Sequence, residues 1–200
     1  LAEKGLPFRS HDINLMATGK FIPENYRPGY VRLRMAGAPD SPLATGYTGR
    51  SSVDSEGFDP AVVPTLVDHR VGRIVVDSAR ICEYVDREEQ QVPNLRPAKL
   101  SDEIDEMMEI VDSAPHVALL YGANPLGDHR PAMLAKMIKG VHARKEVAIR
   151  KIMAEVSDDP ELIAAYESKI SKEQAAARFI GDSVSMASIV GQMKEGVGQL

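Results

Sequence analysis

The run Val62-Val63-Pro64-Thr65-Leu66-Val67-Asp68 and the residues that follow it constrain this chain more than any other segment. A polar break from His69 to Gly72 separates it from Arg73-Ile74-Val75-Val76, and Asp77-Ser78 then opens a stretch with apolar Ile81, Tyr84 and Val85. Two β-branched runs around a glycine-containing turn predict a strand pair over Thr65 to Asp68 and Arg73 to Val76. Pro64 has no N–H for a sheet ladder, so it belongs at a strand entry or edge. The residue before a proline is held extended, which leaves the backbone groups of Val63 free to face a ligand. Asp77-Ser78 predicts a helix start. A helix tip with a hydroxyl and exposed N–H groups is a carboxylate site. A free main-chain edge beside such a tip is what a small peptide ligand needs.

Two hundred residues suffice for one large domain or two small ones with a self-supporting core. A net charge of -5 argues against nucleic acid as the main partner, because phosphate binding wants a basic face. One cysteine excludes an internal disulfide and fits a reducing, cytoplasmic setting. No apolar run approaches a membrane span, and no signal sequence is present. Leu1 to Gly5 reads as the last turn of a helix with a glycine stop, and the chain reads as an internal fragment.

Along the chain, Phe8 to Asn14 has mixed β-character and is expected to be a strand. Leu15 to Tyr30 is irregular, with at most a short helix. Met35 to Pro60, rich in proline and glycine, is expected to be a long surface loop. Asp77 to Asp86 is expected to be helical, and Arg87 to Pro97 reads as a linker between two regions, 1–90 and 98–200. From Lys99 onward the pattern is helical only. Ser101 and Glu103 cap a helix carrying Ile104, Met107, Met108 and Val111, which Pro115 should kink. Met133 to Val141 restarts the period, and Val147 to Met153 extends it. Asp159-Pro160 starts another helix expected to reach Phe179.

An α/β half followed by an all-α half, with Val63-Pro64 and Asp77-Ser78 so spaced, resembles the glutathione S-transferase superfamily. Glu24-Asn25-Tyr26, Tyr30-Val31-Arg32-Leu33, the insert Gly46 to Pro60, Pro115 to Gly122, Gly127 to Pro131 and Ala164-Ala165-Tyr166 narrow the resemblance to its chlorohydroquinone reductive dehalogenase subgroup. The resemblance implies a thioredoxin-like N-terminal domain, its first strand missing here, and a truncated helical domain that completes the substrate pocket. It implies a cis Val63-Pro64 bond, with Val63 pairing to the cysteinyl part of glutathione and Asp77-Ser78 holding its γ-glutamyl end. Glutathione would be the co-substrate, a small aromatic the electrophile, and the full-length protein a homodimer. The thiol-activating residue is expected upstream of Leu1, so the fragment alone is expected to be inactive. A β-etherase, a general conjugating transferase or a non-catalytic carrier of hydrophobic ligands stays open.

Single residues weigh less. Cys82 lacks a basic neighbour and is expected to be buried against sheet or bundle rather than nucleophilic. The five histidines show no metal-ligand spacing, so no metal is expected. The resemblance sets His116 and Tyr121 on the helix bordering the electrophile pocket; they either orient a phenolic oxygen or form a satisfied polar pair at the kink. Asp54, Glu56 and Asp59 lack the closing glutamate of a calcium loop and read as a solvated turn. Arg144, Lys145, Arg150 and Lys151 read as an exposed helix face.

Overall fold

A computed structural model describes residues 1–2, 4–16, 22–88 and 94–199. The hairpin forms as read: β1 (Thr65–Asp68) runs antiparallel to β2 (Arg73–Val76), with Thr65 opposite Val76 and Asp68 opposite Arg73. The turn closes on Gly72 at φ 64, a backbone state that costs glycine nothing. Asp68 fixes it from inside: its carboxylate takes the Arg70 N–H and guanidinium and the Tyr84 hydroxyl. The Arg70 hydrogen bonds hold that carboxyl well below the usual range.

α3 (Ser78–Glu88) follows at once and buries Tyr84 and Val85. Cys82, expected inside, is exposed. At about 100° per residue, Ile81, Tyr84 and Val85 define the inner stripe and position 82 falls off it. Phe8 to Asn14 is not a strand; among the described residues its backbone is tied only at Asn14, whose C=O accepts the Glu24 N–H and whose N–H donates to the Glu24 carboxylate, and Phe8 is exposed. Strand propensity without a ladder partner yields only extended backbone. The glycine stop at the start is present, with Gly5 at φ 62, its N–H bonded to Ala2 O and the Leu6 N–H to Leu1 O.

Among the described residues two α-helices precede the hairpin. α1 (Pro28–Ala36) begins with proline at its first turn, where the missing N–H costs nothing, and α2 (Val53–Glu56) is a single turn capped by the Ser52 hydroxyl on the Ser55 N–H. The Met35 to Pro60 segment is therefore not a surface loop: Ala44, Val53, Phe58 and Asp59 are buried.

The helical half comprises α4 (Ser101–Ser113), α5 (His116–Tyr121), α6 (Ala132–Ile138), α7 (Val141–Glu155), α8 (Pro160–Gly181) and α9 (Ser183–Gln199). Pro115 ends one helix and starts the next rather than kinking a continuous one. Gly140 at φ 72 likewise divides α6 from α7, which the spacing alone had joined. α8 opens as read, with the Asp159 carboxylate accepting the Leu162 N–H at 3.0 Å and Pro160 at its first position. The main core joins both halves: Tyr26, Val31 and Ala61 pack with Ile149, Ile152, Leu162, Ala165, Tyr166 and Ile170. The Tyr166 hydroxyl donates to Tyr26 O at 2.7 Å across this seam. No helix of the described residues is long and apolar enough to cross a membrane.

Candidate ligand site

The hairpin register places its open end, residues 63–64 and 77–78, together. The Val63-Pro64 bond is cis. On either side of Val63 the carbonyls are occupied: Val62 O accepts from the Tyr30 hydroxyl at 2.8 Å and Pro64 O from Arg34 Nη1 at 2.5 Å. Val63 itself lies outside the ladder and 40% exposed, and among the described residues neither its N–H nor its C=O has a hydrogen-bond partner. Arg34 makes this shape rigid. Buried over Phe58, its guanidinium also binds Asp59 O and the Thr65 hydroxyl. A strand edge with one donor and one acceptor left open suits another peptide backbone.

Opposite this edge, Asp77 sits at φ 74, the left-handed region that aspartate tolerates better than most side chains. Its Oδ1 accepts the Ala79 N–H at 3.1 Å, capping α3, and its Oδ2 accepts the Val53 N–H at 3.0 Å, fastening α2 to the helix tip. The Ser78 hydroxyl has no partner among the described residues; with the Ala79 N–H taken by Asp77 Oδ1 and the Ile81 N–H by Asp77 O, the Ser78 and Arg80 N–H groups of the first turn are left without one among the described residues. The tip thus offers donors to a carboxylate. Asp112 of α4 lies close enough that burial, then the Asp77 and Asp54 charges, push its carboxyl upward. That excess of negative charge suits an ammonium group next to the carboxylate. The residues present fit the amino-acid end and the central backbone of a γ-glutamyl peptide.

His116 and Tyr121 occupy opposite ends of α5 and do not meet. The His116 ring bonds Ser51 Oγ at 3.3 Å and Ala114 O at 2.9 Å. Tyr121 instead packs edge-on against His142, ring centroids 5.4 Å apart, with Lys145 Nζ 4.9 Å above its own ring. The insert crosses between them. Gly49 O accepts the Val117 and Ala118 N–H groups, and Arg50 Nε donates to Ser113 O, so the insert caps the start of α5.

Behind the insert lies an internal charge network that sequence reading missed. Asp59 contacts Lys169 at 2.7 Å and Lys172 at 3.3 Å, and Glu56 contacts Lys172 at 2.6 Å. Glu173 contacts Lys169 at 3.1 Å, Lys145 at 3.3 Å and His142 Nδ1 at 2.6 Å. Glu56 and Asp59 are therefore not a solvated turn, and Lys145 is not part of an exposed face. Burial opposes the Asp59 charge, but Lys169 and Lys172 outweigh it and hold the carboxyl at about 2. Burial also works against Glu173, yet Lys169 foremost keeps it well below the ordinary carboxylate range. The only sequence signal was the spacing of Lys169 and Glu173, four apart on one helix.

A cis-prolyl strand entry with an open backbone, set against an acid–serine helix tip, fits a thioredoxin-like N-terminal domain followed by a helical region. Residues 1–88 match the family model described as "Glutathione S-transferase, N-terminal domain". Over its whole length it is 42% identical to proteins named 2,5-dichlorohydroquinone reductive dechlorinase from two strains of Sphingobium indicum, B90A and UT26. The chain spans 58% of the length of each of these relatives. No solved structure matches it.

Proposed function

We propose that the protein carrying this chain binds glutathione and uses its thiol to remove halogen reductively from a chlorinated hydroquinone. The observation that carries the glutathione assignment is the unpaired Val63 backbone at a cis Val63-Pro64 bond, on the same hairpin end as Ser78. In this reading the Val63 N–H and C=O pair with the cysteinyl unit. Ser78 and the α3 tip hold the γ-glutamyl carboxylate, and Asp77 positions that tip rather than touching the ligand alone. The substrate class is suggested by the identity to the dechlorinases over all of this chain.

Glutathione supplies the nucleophile and the reducing equivalents: two thiols and one carbon–chlorine bond become a disulfide, a carbon–hydrogen bond and HCl. The chain's part is positioning, since a bound thiol and ring react as if intramolecular. His116 and Tyr121 border the aromatic. The full-length protein acts in the cytoplasm as a homodimer, the chemistry requiring neither nucleic acid nor membrane.

The test uses full-length protein with glutathione and 2,5-dichlorohydroquinone. Calorimetric binding of glutathione, chloride release and formation of oxidised glutathione in equal amounts support the reading. A stable thioether product instead indicates a conjugating transferase. Binding without turnover indicates a carrier, and no glutathione binding overturns the assignment altogether.

A further inference from the structure

His142 and Glu173 are buried, titratable and unused by the chemistry above. The 2.6 Å contact between His142 Nδ1 and Glu173 Oε2 requires a proton between the two atoms. Glu173 is held as the anion by Lys169 and Lys145, so that proton sits on Nδ1. The other ring nitrogen, Nε2, is buried with no hydrogen-bond partner. A buried polar atom orphaned in this way costs roughly 1–3 kcal/mol, which a hydroxyl-bearing ligand recovers. A second buried polar atom, the Tyr47 hydroxyl, is also unpartnered. Burial first, then Glu56, Glu173 and Tyr121, disfavour its ionised form. Tyr121 stands edge-on to His142 and is itself half-buried.

We propose that the Glu173–His142 pair is a general base that receives a hydroxyl proton from the aromatic diol. This rests on the function proposed above and adds to it a residue acting on the ring. The O–H bond breaks, its proton goes to Nε2, and the electron pair stays on oxygen as the phenolate. The imidazolium formed faces Glu173, with Lys145 on its own helix, Lys169 and Lys172 on α8, Asp59 and Glu56 on the insert, and the Tyr121 ring on α5. Lys145, Lys169 and Lys172 balance Glu56, Asp59 and Glu173 in charge, so the added proton is the network's one net charge. His142 is the catalytic residue here and Glu173 its positioning partner. An electron-rich phenolate ring is the form that takes up a proton on carbon, which the removal of chloride needs.

The discriminating variant in the full-length protein is His142→Asn, whose amide nitrogen keeps a donor towards Glu173 while Nε2 is lost. Expected are a fall in kcat of about 100-fold or more, little change in KM, and unaltered glutathione affinity and Tm. Glu173→Gln should lower kcat in the same direction while removing the anion. Independently of turnover, the ultraviolet spectrum of the hydroquinone bound to wild-type protein should be that of the phenolate, and bound to His142→Asn that of the neutral phenol. A neutral phenol on the wild-type protein, or an Asn variant with unchanged kcat, overturns the proposal. In either case intact glutathione binding and chloride release leave the proposed function standing.

Discussion

Replacing Lys169 by methionine removes the hub of the internal ion network. The residue is 4% exposed, and its ammonium lies 2.7 Å from Asp59 and 3.1 Å from Glu173. After the substitution Asp59 keeps Lys172 at 3.3 Å, and Glu173 keeps Lys145 at 3.3 Å and His142. Three acids then face two lysines, and one buried negative charge is uncompensated. Removing one partner of a buried pair costs about 3–5 kcal/mol. For a chain of this size that lowers Tm by roughly 6–20 °C. The pH dependence follows from the depressed carboxyls of Asp59, at about 2, and Glu173. A depressed carboxyl contributes stability that is present above its unfolded value and lost as pH falls through its folded value. Without Lys169 both carboxyls rise and protonate earlier, so the deficit is present in full near neutral pH and narrows as pH falls below the ordinary carboxylate range, about 4. Urea unfolding of wild type and variant at several pH values from neutral to about 3 measures this. A loss below about 1 kcal/mol at pH 7, or a deficit that widens on acidification, refutes the account.

Gly49→Ala should cost about 2–4 kcal/mol, because φ is +85 and the new Cβ meets the Ala118 Cβ at 2.8 Å; thermal unfolding reads it, and a neutral outcome means the insert does not dock on α5 as described. Ser78→Ala removes a hydroxyl with no internal partner, so Tm should hold while glutathione affinity, by calorimetry, falls on the order of 10-fold or more. Asp77→Ala loses the cap on Ala79 and the tie to Val53, and should lower unfolding stability by about 1–2 kcal/mol together with glutathione affinity. Tyr121→Phe and His116→Ala in the full-length protein should each lower turnover of the hydroquinone; unchanged rates remove those residues from the aromatic pocket.

What the sequence disclosed, and what it hid, follows from the range of the interactions. The hairpin, the Asp77 helix start and the Asp159-Pro160 cap rest on groups within a few residues of one another, so their signals are written locally. The open Val63 edge was legible for the same reason. Asp59 and Lys169 are 110 positions apart, and each alone reads as a surface charge. Their pairing gives no period and no motif. The same holds for Phe58 under Arg34, which turned an apparently loose, glycine-rich stretch into packed structure. Gly140 was visible but ambiguous, since a glycine within a helical period is tolerated as often as it ends one. The closing helix Ser183–Gln199 went unread because Gly191, Gly196 and Gly198 weaken its propensity, and Met186 and Ile189 secure it by packing on Ala118.

Asp77 answers to two masters, the helix tip with one oxygen and the Val53 amide with the other. Whatever settles on Ser78 therefore tightens or loosens the grip on the inserted segment, and the inserted segment returns the same influence with equal strength. Shortening the insert far from any ligand atom should then register as a shift in how strongly the tripeptide is held.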